Sequence, residues 1–83
     1  MVTQIQEQVK VIAVFGEGKK LKPVKFFWKN REYIVKSITY IWSSRRGNET
    51  ICHFAVTDGN NLYELAYESE KLTWSLESVE CEP

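Results

Sequence analysis

Chemistry in this chain would have to be carried by few side chains. His53 is the single histidine, and Cys52 and Cys81 are the two thiols. A general base or an activated nucleophile needs an oriented partner. Cys52 adjoins His53, but neighbours along a strand point to opposite faces, so the two make a poor Cys–His pair. His53 is therefore expected as an exposed bystander. No Cys-x-x-Cys occurs, and a zinc centre takes four ligands. Cys52 is expected as a buried free thiol and Cys81 as an idle one, with a Cys52–Cys81 disulfide as the alternative. Gly16-Glu17-Gly18-Lys19-Lys20 has the residue types of a phosphate loop. It lacks the Gly-x-x-x-x-Gly-Lys-[Ser/Thr] spacing, and no helix follows to aim amides at phosphate. It reads as a strand connection. The acids of the second half form no Asp-x-Asp loop of the kind that binds calcium. The expectation is a noncatalytic chain with no metal and no cofactor.

One pattern does point to a ligand. Lys25, Phe27 and Lys29 share a face of one strand, with Ile34 and Lys36 on the strand opposite. Arg31, Arg45 and Arg46 lie on turns that could extend this surface. A basic strand with an interleaved aromatic is how single-stranded nucleic acid is held, bases stacking on rings while cations follow phosphates. In the register expected below, Lys25 faces Lys36, an unfavourable pairing unless an anion or a third strand intervenes. The alternative is that strand one or the 19–21 loop covers Phe27 and Ile34, leaving ordinary surface lysines. Net charge is zero overall, which opposes strong nonspecific attraction to phosphate. The charge is nonetheless sorted: ten basic against three acidic residues through Arg46, then one against eight. Such asymmetry marks either a binding face or neighbouring strands that neutralise each other.

The elements that must position these groups are strands. Residues 9–15 are rich in β-branched side chains and read as strand one. Pro23 opens strand two, where a missing N–H is tolerated, and residues 24–29 alternate. Asn30-Arg31 suits a two-residue turn. It sets Lys29 opposite Glu32, Trp28 opposite Tyr33 and Phe26 opposite Val35. Strand three, 32–44, changes parity between Val35 and Ile38, which predicts a bulge or bend near Lys36-Ser37. Asp58-Gly59-Asn60-Asn61 is a hairpin turn between strands 50–58 and 62–68, pairing Val56 with Tyr63, Phe54 with Leu65 and Cys52 with Tyr67. Residues 72–76 alternate as strand six. Residues 1–8 and 80–83 are expected to be loosely ordered.

A chain of 83 residues is one domain, residues 1–83. At this length it must build its core from large side chains. The expected core is Phe26, Trp28, Tyr33, Val35, Ile38, Trp42, Phe54, Val56, Tyr63, Leu65, Trp74 and Leu76. No apolar run is long enough to span a membrane, and the start lacks a basic, then apolar, leader pattern. A cytoplasmic protein follows.

The run Pro23-Val24-x-Phe26-x-Trp28-x-x-Arg31-x-Tyr33-x-Val35 is followed by Ile38, Trp42, Thr57-Asp58-Gly59, Tyr63-Glu64-Leu65 and Trp74-x-Leu76. Over about residues 22–79 it resembles a small bacterial all-β domain family of unknown function. Members read Pro-x-x-Phe-x-Trp-x-Gly-Arg-x-Tyr-x-Val, then Trp, Tyr-Glu-Leu and Trp-x-Leu. Asn30 stands where the family favours Gly, which fits a turn needing positive φ. Such domains also occur appended to proteins resembling Y-family DNA polymerases. The resemblance implies a DNA-repair accessory role and carries no catalytic residues.

The expected fold is a six-stranded antiparallel meander curled into a small SH3-like or open barrel. The expected function is a noncatalytic binding module accessory to nucleic-acid processing, with single-stranded nucleic acid as the partner. The alternative is a protein–protein adaptor or a self-associating domain, monomeric or weakly dimeric.

Overall fold

Alternating apolar residues between Gly- and Asn-rich turns give the chain seven antiparallel strands: β1 (Val2–Phe15), β2 (Leu21–Trp28), β3 (Arg31–Ile34), β4 (Ser37–Arg46), β5 (Glu49–Thr57), β6 (Asn61–Glu68) and β7 (Thr73–Cys81). They come from a computed structural model that describes residues 2–16, 18 and 20–81. Their order is β3-β2-β1-β7-β6-β5-β4, so the sheet is an open, curled meander with β1 brought back against β7. The expected all-β antiparallel class holds, with seven strands instead of six.

The extra strand comes from the bend expected near Lys36-Ser37. Strand three breaks at Val35 and Lys36 into β3 and β4. The Val35 amide donates to the Val24 carbonyl at 2.9 Å, and the next amide, Lys36, donates to Thr57 at 2.8 Å. The chain thus crosses from β2 to β5 at this point.

Residues 2–8, expected to be loose, extend β1. They pair with β7 from Val2↔Glu80 to Gln8↔Ser75, and only 10–15 pair with β2. Gln6 adopts a φ of 54° where the β1–β7 register shifts. Ile5 and Val9, four residues apart, both pack against the core. At the other end β7 runs on through Glu80 and Cys81, which pair with Leu62 and Asn61. Glu82 and Pro83 lie outside the described residues.

The first hairpin differs by one position from expectation. Lys29 and Asn30 form the turn, with φ of 51° and 61°. Positive φ at both central residues is the type I′ geometry, and the match to the sheet twist outweighs the strain at Lys29. The pairs become Phe26↔Tyr33, Trp28↔Arg31 and Lys25↔Ile34. Each partner moves by two residues, so the faces are kept. The expected Lys25–Lys36 opposition does not occur; Lys25 makes an ion pair with Glu32 at 3.1 Å instead. The β5–β6 hairpin has the expected register, Val56↔Tyr63, Phe54↔Leu65 and Cys52↔Tyr67.

Curling brings the β2–β3 hairpin onto β5 to β7. Phe26 stacks on Tyr33 and meets Tyr63 edge-on, both with centroids 5.1 Å apart. Phe54, Val56, Leu65, Leu76 and Val79 complete the buried cluster. Of the expected core, Trp42 is misplaced. A register shift between Ile38 and Tyr40 leaves Ile38 against Val56 but puts Trp42 opposite His53, on the other face. One extra residue in a strand reverses every side chain beyond it.

Candidate functional site

The seven residues expected to form a basic surface are divided by the fold. Lys25 and Phe27 lie on the outer face of β2, and β1 adds Lys10, which pairs with Phe27. The ammonium groups of Lys10 and Lys25 stand 5.5 and 5.9 Å from the half-buried Phe27 ring. At the hairpin tip Lys29 lies 4.8 Å from the Trp28 ring. Arg31 opposes Trp28 across the ladder. Lys29 and Arg31 border a cavity of about 440 Å³ whose far wall carries Asp58. Lys36 is elsewhere: its side chain crosses Gly59, where a Cβ would lie 3.0 Å from Nζ. Arg45 and Arg46 close the β4–β5 hairpin at the opposite edge of the sheet. The sequence therefore located a basic hairpin but scattered its extension. It missed Lys10, because only the β1–β2 register places that residue beside Phe27.

A second feature is the seam where the sheet fails to close. β3 pairs with β2 over 25–28 and Val35 adds one bond to Val24, so 21–23 of β2 have no strand neighbour on that side, and β4 pairs only with β5. Between them run two adjoining cavities of about 730 and 510 Å³ that share Lys22 and Ile41. Val24, Tyr40 and Ile41 are exposed there at 39, 66 and 56%. Lys20, Lys22 and Lys36 are the charged groups on its walls, and no acidic side chain among the described residues lines it.

His53 is not exposed; it is 8% accessible. Trp42 stacks on its ring at 5.0 Å with an interplanar angle of 5°. Ser44 Oγ lies 2.7 Å from Nε2, and Glu64 Oε2 lies 3.2 Å from Nδ1. With the proton on Nδ1 the ring donates to Glu64 and accepts from the Ser44 hydroxyl, so both nitrogens are satisfied. The order Ser–His–Glu is that of a nucleophilic triad, but acyl transfer also needs donors converging on the developing oxyanion. Ser44 sits mid-strand opposite Ile51, in a regular ladder that offers no such nest. The arrangement satisfies a buried imidazole. His53 is buried where an exposed bystander was expected because its partners come from β4 and β6, which the sequence separates from it. Ser44→Ala is expected to cost about 1–3 kcal/mol in urea unfolding, since it strands a buried ring nitrogen. A change below about 0.5 kcal/mol would show that the bond contributes nothing.

Cys52 is half-buried against the core on the face opposite His53, Cys81 is exposed, and both are free thiols. Among the described residues no group of three His, Cys, Asp or Glu side chains gathers as a metal would require. No helix there is long and apolar enough to cross a membrane. Glu17 and Lys19 of the glycine-containing loop lie outside the described residues. Compared with family models, with curated proteins and with solved structures, the chain matches none of them.

Proposed function

We propose that this chain is a noncatalytic binding module, accessory to nucleic-acid processing in the cytoplasm, that takes single-stranded nucleic acid along the β1–β2–β3 surface. The observation that carries the reading is the Phe27 ring with the ammonium groups of Lys10 and Lys25 at 5.5 and 5.9 Å from its centroid. Lys29 over Trp28 is a separate contact on the other face of β2 and lies outside this surface. An exposed cation–π contact is worth about 0.5–1 kcal/mol. A base stacked on an aromatic ring is worth about 1–3 kcal/mol. A base can therefore displace the lysines from the ring, and the freed ammonium groups then meet the flanking phosphates. The Lys25–Glu32 ion pair is exposed and opposes this weakly. The resemblance to domains appended to Y-family polymerase-like proteins supports the same context, by analogy of company alone.

Titration with an oligothymidylate at low salt tests this. Amide shifts are expected at Lys10, Lys25 and Phe27. Phe27→Ala should weaken binding about 5- to 150-fold, the equivalent of the lost stacking. Lys10→Ala should lower the salt dependence by about one phosphate contact. An oligonucleotide that leaves these three amides unmoved removes the reading.

A further inference from the structure

We infer that the open seam between β2 and β4 receives an extended, acidic segment of a partner protein, which adds to the free edge of β4 as an eighth strand. Three observations carry this, and none depends on the hairpin surface.

The first is backbone chemistry. Gly47-Asn48 is a two-residue turn closing on Arg46↔Glu49, with Gly47 at a φ of 65°. The closing pair of such a hairpin is hydrogen-bonded, and bonded pairs alternate along the ladder. Ile41, Ser43 and Arg45 therefore turn their N–H and C=O groups away from β5, toward the seam side. Proteins blunt free edges with bulges, prolines and charges. Here the bulge lies before Tyr40, Pro23 lies on the facing strand, and the arginines lie at the far end. The stretch between, 40–44, is left open.

The second is shape. The adjoining cavities of about 730 and 510 Å³ run alongside that stretch, with the β2 edge as the other wall. A strand laid on β4 would direct alternate side chains into the trough floored by Leu21, Val24, Ile38 and Phe54. It would cover Tyr40 and Ile41, the exposed apolar groups of the edge.

The third is charge. Lys20, Lys22 and Lys36 flank the trough with no opposing acid among the described residues, and Arg45 and Arg46 extend the field along β4. This selects an acidic segment with apolar residues at alternate positions. A second copy of this chain is disfavoured as the occupant. Its own β4 would bring Lys36, Arg45 and Arg46 against the same cations.

The probe is a short alternating glutamate–valine peptide, with an alternating lysine–valine peptide and an oligothymidylate as comparisons, read by amide hydrogen exchange on the whole chain. The acidic peptide is expected to protect Ile41, Ser43 and Arg45, and the comparisons to leave them exchanging. N-methylation of alternate peptide amides should abolish protection without touching the protein. Lys22→Glu should weaken binding by about tenfold or more at low salt, since attraction becomes repulsion. The inference is overturned if the acidic peptide leaves the three amides unprotected. It is equally overturned if the lysine peptide or the oligonucleotide protects them as well, or if they become protected without peptide as the chain dimerises.

Discussion

Phe26→Ala is expected to remove most of the protein's folding stability, about 3–5 kcal/mol, and to shift its urea transition close to zero denaturant. Phe26 is 1% exposed and belongs to both halves of the sheet, stacked on Tyr33 of its own hairpin and set edge-on to Tyr63 of β6. Removing the ring opens a cavity where the halves meet, and neither backbone can close it without leaving its ladder. Such truncations cost about 3–5 kcal/mol. Domains are stable by only about 5–15 kcal/mol, and one this short lies near the low end. Trp28→Ala should cost less, about 1–3 kcal/mol, because Trp28 is half-buried at the rim. Its indole N–H bonds to the exposed Glu7 carboxylate at 2.9 Å, a partner water can replace. Urea unfolding of both variants checks the order. A Phe26→Ala protein that melts cooperatively within about 1 kcal/mol of the parent would contradict the placing of the core.

The second large effect is expected at the β5–β6 turn. Asp58 accepts the Asn60 and Asn61 amides through Oδ1, each at 2.9 Å, and the Tyr63 hydroxyl through Oδ2 at 2.9 Å. The amide of Gly59 donates to Thr57 Oγ1 at 3.0 Å, and Gly59 itself takes a φ of 98°. Asp58→Ala removes the acceptor that shapes the turn and leaves the hydroxyl of Tyr63, a residue 3% exposed, without its partner. The expected cost is about 2–3 kcal/mol.

The same pair makes stability depend on pH at both ends of the scale. Partial burial pushes the Asp58 carboxyl up, but the Asn61 and Asn60 amides and the Tyr63 hydroxyl outweigh it and hold the group below its ordinary 3.8. The folded carboxylate binds its proton less readily than the unfolded one. Its stabilisation is therefore present above the unfolded value and is lost as pH falls through the folded value. Burial raises the Tyr63 phenol, and the neighbouring Asp58 charge adds to this, taking it from 10.0 to about 12. A raised value has the opposite sign. The stabilisation is complete below pH 10 and is lost as pH rises toward about 12. Urea midpoints measured across pH should lose the acid limb in Asp58→Asn and the alkaline limb in Tyr63→Phe. Unchanged limbs in both variants would exclude this pair as their source.

Much of this was legible residue by residue. The alternation of β2, β5 and β6, with Asn30 and Asp58-Gly59-Asn60 at the turns, located both hairpins, and the parity change between Val35 and Ile38 located the bend. The turn lies at Lys29-Asn30, one residue before Asn30-Arg31, because Asn tolerates positive φ at either central position of a two-residue loop. The faces survived, since moving the turn by one moves each partner by two. The basic face of the hairpin was legible for the same reason.

Composition, strand periodicity and turn residues determined, without any coordinates, an all-β chain with most of its aromatic core. These signals are local: a turn needs positive φ at named residues, and a half-buried strand needs every second residue apolar. What the tertiary structure alone decided involves residues the chain keeps apart. Residues 2–8 are polar and became a strand because β7 offered its edge. The extra residue before Tyr40 turned Trp42 from the core onto His53, and strands β4 and β6 then supplied Ser44 and Glu64 to a histidine that looked idle. The seam exists because β3 is too short to cover β2 and the curl stops before β4 meets it. Bulges, closure and edges depend on the summed pairing of distant strands, where one residue of slip exchanges the faces. No window along the sequence contains that balance.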